Sequence, residues 1–329
     1  MREVARWSRE DRRDLFRETA VEMGAHPAIV EKDFWVCLVL DYLFADSPWK
    51  ERLSFKGGTS LSKAFAAIER FSEDIDLVLD WRILGYTDTE PLAARSATQQ
   101  ARFGKLANQR AADFLMHTVA PTLGAELSER VAEPMRVYAE GENVRIRYPR
   151  AFALDAIQPE IQLEIGPIAA WLPHSQRPIR PYAAEHFPNA FKQQYTSVRT
   201  IDAERTFWEK ATILHQEAHR TAEKRLPPRY SRHYYDLYRM TLLPLCDAAL
   251  ERTDLLRDVV EFKKHFYRAP WANYDSARPG SLRLLPQPHH RKALLEDYLK
   301  MRAMLFGAIP SFEMIEQGLT ALENRINRH

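Results

Sequence analysis

The segment FKGGTSLSKAFAAIERFSEDIDLVL, residues 55–79, constrains this chain most, because a glycine pair is followed by two closely spaced aspartates. Gly57 and Gly58 follow a short apolar strand and predict a tight turn into a helix, where the backbone can approach a ligand closely. The N–H groups that open such a helix point outward and suit phosphate. Residues near the turn that add hydroxyl donors or positive charge are Lys56, Thr59, Ser60 and Lys63.

Asp74 and Asp76 lie two positions apart where apolar and polar residues alternate, which predicts a β-strand over residues 75–79. The alternation places both carboxylates on one face, where they repel each other unless a cation lies between them. Oxygen ligands of this kind select Mg²⁺ or Mn²⁺. A glycine pair alone is usually a turn, and an Asp-x-Asp pair alone is usually solvated surface. Together and in this order they favour a nucleotide site.

The rest of the chain predicts an α/β half followed by a helical half. Helices are expected over residues 8–23, 27–45, 61–69 and 92–118. Strands are expected over residues 53–55, 132–138, 143–148 and 160–165, and an irregular connection over residues 167–194. Further helices are expected over residues 202–219, 231–246, 250–266, 289–306 and 309–325. We therefore expect an α/β domain with a mixed sheet over residues 1–200 and an all-helical domain over residues 201–329, arranged as two lobes.

Composition excludes several classes of protein. The formal net charge is only +2, so a nucleic-acid surface would have to be a local patch. Cys37 and Cys246 form no CxxC motif, which excludes a zinc ribbon and a disulfide scaffold. The N-terminal residues are too charged for a signal peptide, and the longest apolar run, residues 34–44, is too short to span a bilayer. We expect a cytoplasmic protein with no membrane partner.

The motif strings resemble one enzyme superfamily. A GG[ST] turn, a helix and an Asp-x-Asp pair on the next strand are typical of the DNA polymerase β-like nucleotidyltransferases. The fuller strings KGGTSLSKAF and RFSEDIDL resemble the AbiEii-like toxins of bacterial toxin–antitoxin pairs, a branch that includes the MenT toxins. The interval from Gly58 to Asp74 fits this branch, and EKDFW at residues 31–35 resembles its N-terminal helix. The resemblance spans roughly residues 28–240.

The resemblance implies a polymerase β-like fold with a helical C-terminal domain and an active site in the cleft between them. It implies metal-dependent transfer of a nucleoside monophosphate from an NTP to RNA, such as a tRNA 3′ end, with release of pyrophosphate. It also implies a separate antitoxin protein as a partner. Two alternatives stay open, namely a nucleotidyltransferase that modifies an antibiotic or a protein hydroxyl, and a non-catalytic nucleotide-binding module.

The resemblance also assigns residues to roles. Ser72 would contact a phosphate, and a third carboxylate would join the aspartates from a neighbouring strand. In EIQLEI, residues 160–165, the third carboxylate is expected at Glu164, with Glu160 as the alternative. Lys210, beside an apolar stripe of its helix, matches a catalytic lysine that faces the nucleotide phosphates. Asp236, in RHYYDLYRM, matches the terminal aspartate of the family, which could position Lys210 or an attacking hydroxyl.

The densest basic segment lies between Lys210 and Asp236. Residues 220–232 contain five arginines and lysines against one acid, Glu223, and Pro227-Pro228 keeps the middle irregular. Two interpretations of this segment stay open, namely contact with a phosphate backbone and a solvated charged loop. We expect the Lys210 ammonium to lie within about 10 Å of the Asp74 and Asp76 carboxylates. A positive charge from the second lobe is needed there, because negative charge builds up on the phosphoryl group during transfer.

Overall fold

The strands of the described residues form one mixed sheet. The strands are β1 (Leu53–Lys56), β2 (Ile75–Leu79), β3 (Arg136–Glu140), β4 (Asn143–Arg147), β5 (Ile161–Gly166), β6 (His174–Ile179) and β7 (Thr196–Ile201). They form a seven-stranded sheet in the order β3-β4-β5-β2-β1-β7-β6. β2 runs parallel to β5, and β1 runs parallel to β7, whereas the other neighbours are antiparallel. The expected mixed sheet is confirmed.

One face of this sheet packs on the core and the other carries the candidate site. Ile75 and Leu77 of β2 and Leu163 of β5 are at most 1% exposed. Asp76 and Glu164 alternate with them and therefore point to the opposite face. Burial of the apolar side chains fixes the strand register, because a shift by one residue would turn them to solvent.

The computed structural model describes residues 1–155, 157–167 and 172–328, and the chain divides into two compact units. The first unit comprises Met1–Ala64 and Phe71–Ile201. The second comprises Phe65–Arg70 and the chain from Asp202 onward. The short segment Phe65–Arg70 thus packs with the second unit, although its place in the sequence puts it within the first domain.

The first unit surrounds the sheet with helices. They are α1 (Arg9–Met23), α2 (Pro27–Asp41), α3 (Gly57–Lys63), α4 (Ala97–Phe114), α5 (Ala120–Arg130) and α6 (Tyr182–His186). α1 begins after Ser8, whose side chain accepts a hydrogen bond from the backbone N–H of Asp11, as expected of an N-cap. α2 is buried on all sides from Ala28 onward, and its charged residues Glu31, Lys32 and Asp33 are buried together with its apolar ones.

The second unit is helical, as the sequence predicts. Its main helices are α7 (Ala203–Ala218), α8 (Ser231–Thr241), α9 (Leu245–Glu251), α10 (Thr253–Phe266), α11 (Pro288–Met301) and α12 (Phe312–Arg328). The apolar stripe of α7, formed by Phe207, Ala211 and Leu214, is fully buried. None of the helices in the described part of the chain combines the length and apolar character that a bilayer crossing needs.

Two local expectations were wrong. The helix expected over residues 61–69 instead starts at Gly57 and ends at Lys63, so the glycine pair forms its first turn. The segment 167–194 contains β6 and α6, although residues 168–171 lie outside the described part. β6 is a mostly exposed edge strand without apolar alternation, so its own sequence does not predict a strand. It is a strand because it pairs with β7.

Candidate active site

The turn between β1 and α3 holds Gly57 in close contact with Asp76. Gly57 has a φ of +77°, in the left-handed region that favours glycine. A Cβ atom added at Gly57 would lie 1.9 Å from Oδ2 and 2.7 Å from Cγ of Asp76. Backbone conformation and close approach therefore both require glycine, and the turn fits directly against one carboxylate of the Asp-x-Asp pair.

The hydroxyl groups after the glycine pair hold the turn in place. Thr59 donates a side-chain hydrogen bond to the backbone carbonyl of Asp74, and Ser60 donates one to the carbonyl of Gly57 at 2.9 Å. Thr59, Ser60 and Gly58 are buried, and Ser72, two residues before Asp74, is half-buried. The start of α3 is thus tied to the backbone that leads into β2.

The carboxylates predicted from the sequence are neighbours on the sheet. Asp74 immediately precedes β2, and Asp76 lies within it. In the strand register, Asp76 is opposite Lys56 of β1 and beside Glu164 of β5. Directly paired residues point to the same face, so these three side chains share one surface. The Glu164 side chain still reaches solvent, but its partial desolvation on the sheet raises its pKa, and the negative charges of Asp76 and Asp74 raise this pKa further.

The donor chemistry of this surface fits a hard divalent cation. Asp74, Asp76 and Glu164 offer carboxylate oxygens, and a cation would relieve the repulsion that raises the pKa of Glu164. Within residues 1–155, 157–167 and 172–328, however, no three His, Cys, Asp or Glu side chains converge as a metal-ligand group. The three carboxylates influence one another without closing around a common point.

Glu160, the alternative third carboxylate, has other partners. It accepts a hydrogen bond from the Tyr138 hydroxyl at 2.8 Å and forms an ion pair with Arg147. Burial raises the pKa of Glu160, but the hydrogen bonds from Arg147 and Tyr138 outweigh burial and leave this pKa below its usual range. Since Glu164 is the register neighbour of Asp76, the geometry favours Glu164 over Glu160.

A buried ion pair from α2 holds the backbone just before the aspartates. Lys32 donates hydrogen bonds to Oε2 of Glu73 at 2.9 Å and to the carbonyl of Gln158 at 3.0 Å. Glu73 also accepts one from the backbone N–H of Gln158 at 2.7 Å. Both charged side chains are almost fully buried. Because Glu73 directly precedes Asp74, this pair fixes the position at which the Asp-x-Asp segment begins.

The adjacent residue of α2, Asp33, holds the other end of α3. An oxygen of Asp33 lies 2.7 Å from Nζ of Lys63, and Asp33 accepts a hydrogen bond from the backbone N–H of Tyr182 at 2.7 Å. The Lys63 ammonium also lies 3.8 Å from the centroid of the Tyr182 ring. The Lys63 side chain is only 4% exposed. The expectation that Lys63 supplies charge to the turn is therefore wrong.

In the second unit, α7 and α8 place Lys210 and Asp236 side by side. Lys210 Nζ donates a hydrogen bond to Oδ2 of Asp236 at 2.7 Å and lies 3.3 Å from Nδ1 of His233. Arg70 donates two further hydrogen bonds to Asp236, at 2.6 Å and 2.9 Å. All four side chains belong to residues at most 9% exposed. We refer to them as the Lys210 cluster.

The Lys210 cluster carries excess positive charge. Burial raises the pKa of Asp236, but the charges of Arg70 and Lys210 outweigh burial and keep this pKa well below its usual range. Burial lowers the pKa of Lys210, against the opposing effect of Asp236. Burial and the nearby cations also lower the pKa of His233, which stays neutral. Two cations, Arg70 and Lys210, thus meet the one carboxylate of Asp236 within the cluster.

A family comparison covers both units. The model of the nucleotidyl transferase AbiEii toxin family, described as a type IV toxin–antitoxin system, matches residues 39–321 of the 329. The chain belongs to the AbiEii family. It is therefore a nucleotidyltransferase of the toxin class, and the family expected from the motif strings is confirmed. The matched range includes every candidate site residue of both units.

One solved structure gives a more distant comparison. MenT4, a nucleotidyltransferase toxin from Mycobacterium tuberculosis H37Rv, aligns with 95% of this chain and 97% of its own, at 16% identity and a TM-score of 0.48. This likeness is too distant to carry residue roles to the present AbiEii toxin. A search of curated proteins found no significant match.

The sequence reading of this AbiEii toxin missed the partners of its site residues. Arg70 is the first residue of the motif string RFSEDIDL and lies four positions before Asp74. Its partner Asp236 is 166 residues away in the sequence. Lys32 lies in the quoted string EKDFW, and its partner Glu73 is 41 residues away. Each motif string contains the charged residue, but nothing in the string identifies the oppositely charged residue that it contacts.

Proposed function

We propose that this AbiEii-family enzyme uses Mg²⁺ or Mn²⁺ to transfer a nucleoside monophosphate from an NTP to a hydroxyl of RNA, with a tRNA 3′ end as acceptor. The observation that carries the proposal is the register that sets Asp76 beside Glu164, next to the glycine turn. Adjacent carboxylates whose charges raise the pKa of Glu164 suit a divalent cation and, through it, a polyphosphate.

The turn residues would bind the triphosphate. Lys56 supports this role, since it shares a sheet surface with Asp76. The backbone N–H groups at the start of α3 suit phosphate oxygens, whereas the hydroxyl protons of Thr59 and Ser60 are donated within the turn. The full set proposed for the triphosphate is Lys56, Gly57, Gly58, Thr59, Ser60 and Ser72.

Asp74, Asp76 and Glu164 would hold the metal ion. When bound there, Mg²⁺ or Mn²⁺ would supply Lewis-acid polarisation of phosphate oxygens and lower the pKa of the attacking hydroxyl. The chain itself keeps the carboxylates on one surface. Glu73, held by Lys32, fixes the backbone before Asp74.

Lys210 would neutralise the charge that develops on the transferred phosphoryl group. Its ammonium is held by Asp236, which Arg70 holds in turn. Because Asp236 is ionised and accepts hydrogen bonds from both cations, it positions Lys210 rather than taking a proton from the acceptor. Arg70 and Asp74 are separated by only three residues in the sequence, which supports a common role for the two groups.

Transfer can be tested with purified protein, total cellular RNA and each NTP labelled at its α-phosphate. We expect label in RNA with Mg²⁺ or Mn²⁺, none in EDTA, and a loss of at least about 10²-fold in Lys210→Ala. Asp76→Ala should be inactive, whereas Asp113→Ala, a surface aspartate on α4, should not be impaired. Label in protein or in a small molecule instead of RNA would overturn the acceptor assignment.

We also propose that a separate antitoxin protein controls this toxin in the cytoplasm. The family description as a toxin–antitoxin system supports such a partner. Expression without the antitoxin should slow bacterial growth. Asp76→Ala should relieve this slowing at equal protein level, and Asp113→Ala should not. Equal toxicity of the Asp76 variant would separate the growth effect from nucleotidyl transfer.

A further inference from the structure

A basic loop joins the two helices that carry Lys210 and Asp236. We call residues 219–230 the basic loop, since α7 ends at Ala218 and α8 begins at Ser231. The cations exposed on this loop are Lys224, Arg225 and Arg229. Its one acid is Glu223. The loop therefore presents an excess of positive charge.

The first end of the basic loop is anchored by α11. His289 and His290 place Nε2 at 3.3 Å and 3.2 Å from the backbone carbonyls of Arg220 and Thr221. Arg220 forms an ion pair with Glu217 at 2.5 Å. Arg220 is buried, so it holds the loop in place and does not add to its exposed charge.

The second end is anchored by the same helix. Oδ1 of Asp297 accepts a hydrogen bond from the backbone N–H of Arg229 at 2.7 Å, and Oδ2 accepts one from the N–H of Ser231 at 2.9 Å. Arg229 has a φ of +61°, which a residue with a side chain rarely adopts. Such a backbone persists only where its surroundings determine it, and it is common at ligand-binding segments.

Two aromatic contacts connect the basic loop to the rest of the second unit. Nζ of Lys224 lies 4.4 Å from the centroid of the Trp271 ring, which restricts where this ammonium can move. At the end of the loop, the Tyr230 ring lies 5.0 Å from the His233 ring, at an angle of 80°. Nδ1 of His233 is 3.3 Å from Nζ of Lys210. The basic loop therefore contacts the Lys210 cluster directly, and only His233 lies between Tyr230 and Lys210.

We propose that the basic loop binds the phosphate backbone of the RNA acceptor. The inference deepens the proposed function, because it takes from that function that an RNA brings the attacking hydroxyl. Exposed cations against one acid complement a polyanion. A loop that only stayed solvated would not need anchors from α11 at both ends. The contact between Tyr230 and His233 then relates RNA binding to the lysine that acts in transfer.

The test measures RNA binding without any NTP. Fluorescence anisotropy of a labelled tRNA transcript, across a KCl series, compares the wild type with Lys224→Ala/Arg225→Ala. The control is Arg102→Ala/Lys105→Ala, two exposed cations of α4 with the same change in charge. A second variant, Lys224→Arg/Arg225→Lys, preserves the loop charge. Removing two phosphate contacts should reduce the slope of log K against log salt by about 1.5.

We expect the loop variant to lose about tenfold in affinity at moderate salt, since each contact contributes through counterion release. The control and the charge-preserving variant should bind as the wild type does. If the loop variant binds RNA as tightly as the control, or the wild type shows no salt-dependent RNA binding, the proposal is wrong. If the loop instead binds an acidic protein, the loop variant would bind RNA as tightly as the control does. Loop-dependent RNA binding without any nucleotidyl transfer would instead overturn the proposed function alone.

Discussion

Gly57 and Asp76 are packed so closely that a methyl group on Gly57 would reach to 1.9 Å from a carboxylate oxygen of Asp76. The turn between β1 and α3 and the strand β2 therefore define each other's position. A glycine pair is usually explained by turn geometry alone, but Gly57 also lies against the side chain of Asp76 from the next strand. This relationship makes Gly57 a direct probe of the candidate site.

Gly57→Ala should abolish most transfer, because the new methyl group displaces the Asp76 carboxylate. The variant also strains a residue at positive φ, at a cost of about 1–2 kcal/mol. Gly24→Ala is the matched control, since Gly24 has a φ of +62° and no atom within 4 Å of its Cβ position. Thermal unfolding and transfer rates should show similar strain in both variants and lost activity only in Gly57→Ala. Normal turnover of Gly57→Ala would contradict the role of Asp76.

Arg70 should matter for turnover more than for NTP binding. Arg70→Lys keeps a positive charge but cannot make the paired hydrogen bonds to Asp236, so Lys210 loses its fixed position. We expect kcat to fall by at least about tenfold, with a smaller change in KM. Glu69→Gln is the control, because Glu69 is the adjacent residue and forms a half-exposed ion pair with Arg239. A similar fall in kcat in both variants would show that Arg70 acts only through local structure.

Breaking the Lys32–Glu73 pair should destabilise the first unit and impair transfer. Lys32→Met leaves the Glu73 carboxylate buried without its ammonium partner, which costs about 3–5 kcal/mol. The double variant Lys32→Met/Glu73→Gln should recover part of this loss, since no uncompensated charge remains. Urea unfolding measures the free energy of unfolding of each variant, and the surface pair Arg291–Glu316 is expected to contribute much less than the buried pair. Additive effects of the two substitutions would contradict the coupling.

Acid should destabilise the second unit through His215. Its ring accepts a hydrogen bond from the backbone N–H of Arg283 on Nδ1, and burial lowers its pKa to about 4. Between pH 6.5 and pH 4 the unfolded chain binds a proton at this residue that the folded chain does not, so stability falls as pH falls. From pH 8 to pH 5, the free energy of unfolding should fall by about 2 kcal/mol less in His215→Gln than in the wild type, as measured by urea unfolding. Equal pH dependence of wild type and variant would contradict a neutral, buried His215.

Local patterns in the sequence identified the residues of the candidate site. The glycine pair and the Asp-x-Asp spacing depend only on neighbouring residues, so turn preference and strand alternation identify them. Alternation in residues 160–165 likewise put Glu164 on a polar face. The start of α3 at Gly57 and the edge strand β6 were missed, because the first depends on packing against Asp76 and the second on pairing with β7.

By itself the sequence determined the order of the α/β and helical halves, the family, and which residues are candidates for the chemistry. Only the tertiary structure decided how the charged residues are used. Lys63 and Arg220 looked like available cations, yet Asp33 and Glu217 neutralise them. Arg70 was given no role from the sequence, yet it holds Asp236. The physical reason is that a buried charge needs an opposite charge close in space, and the chain can supply it from any distance along the sequence.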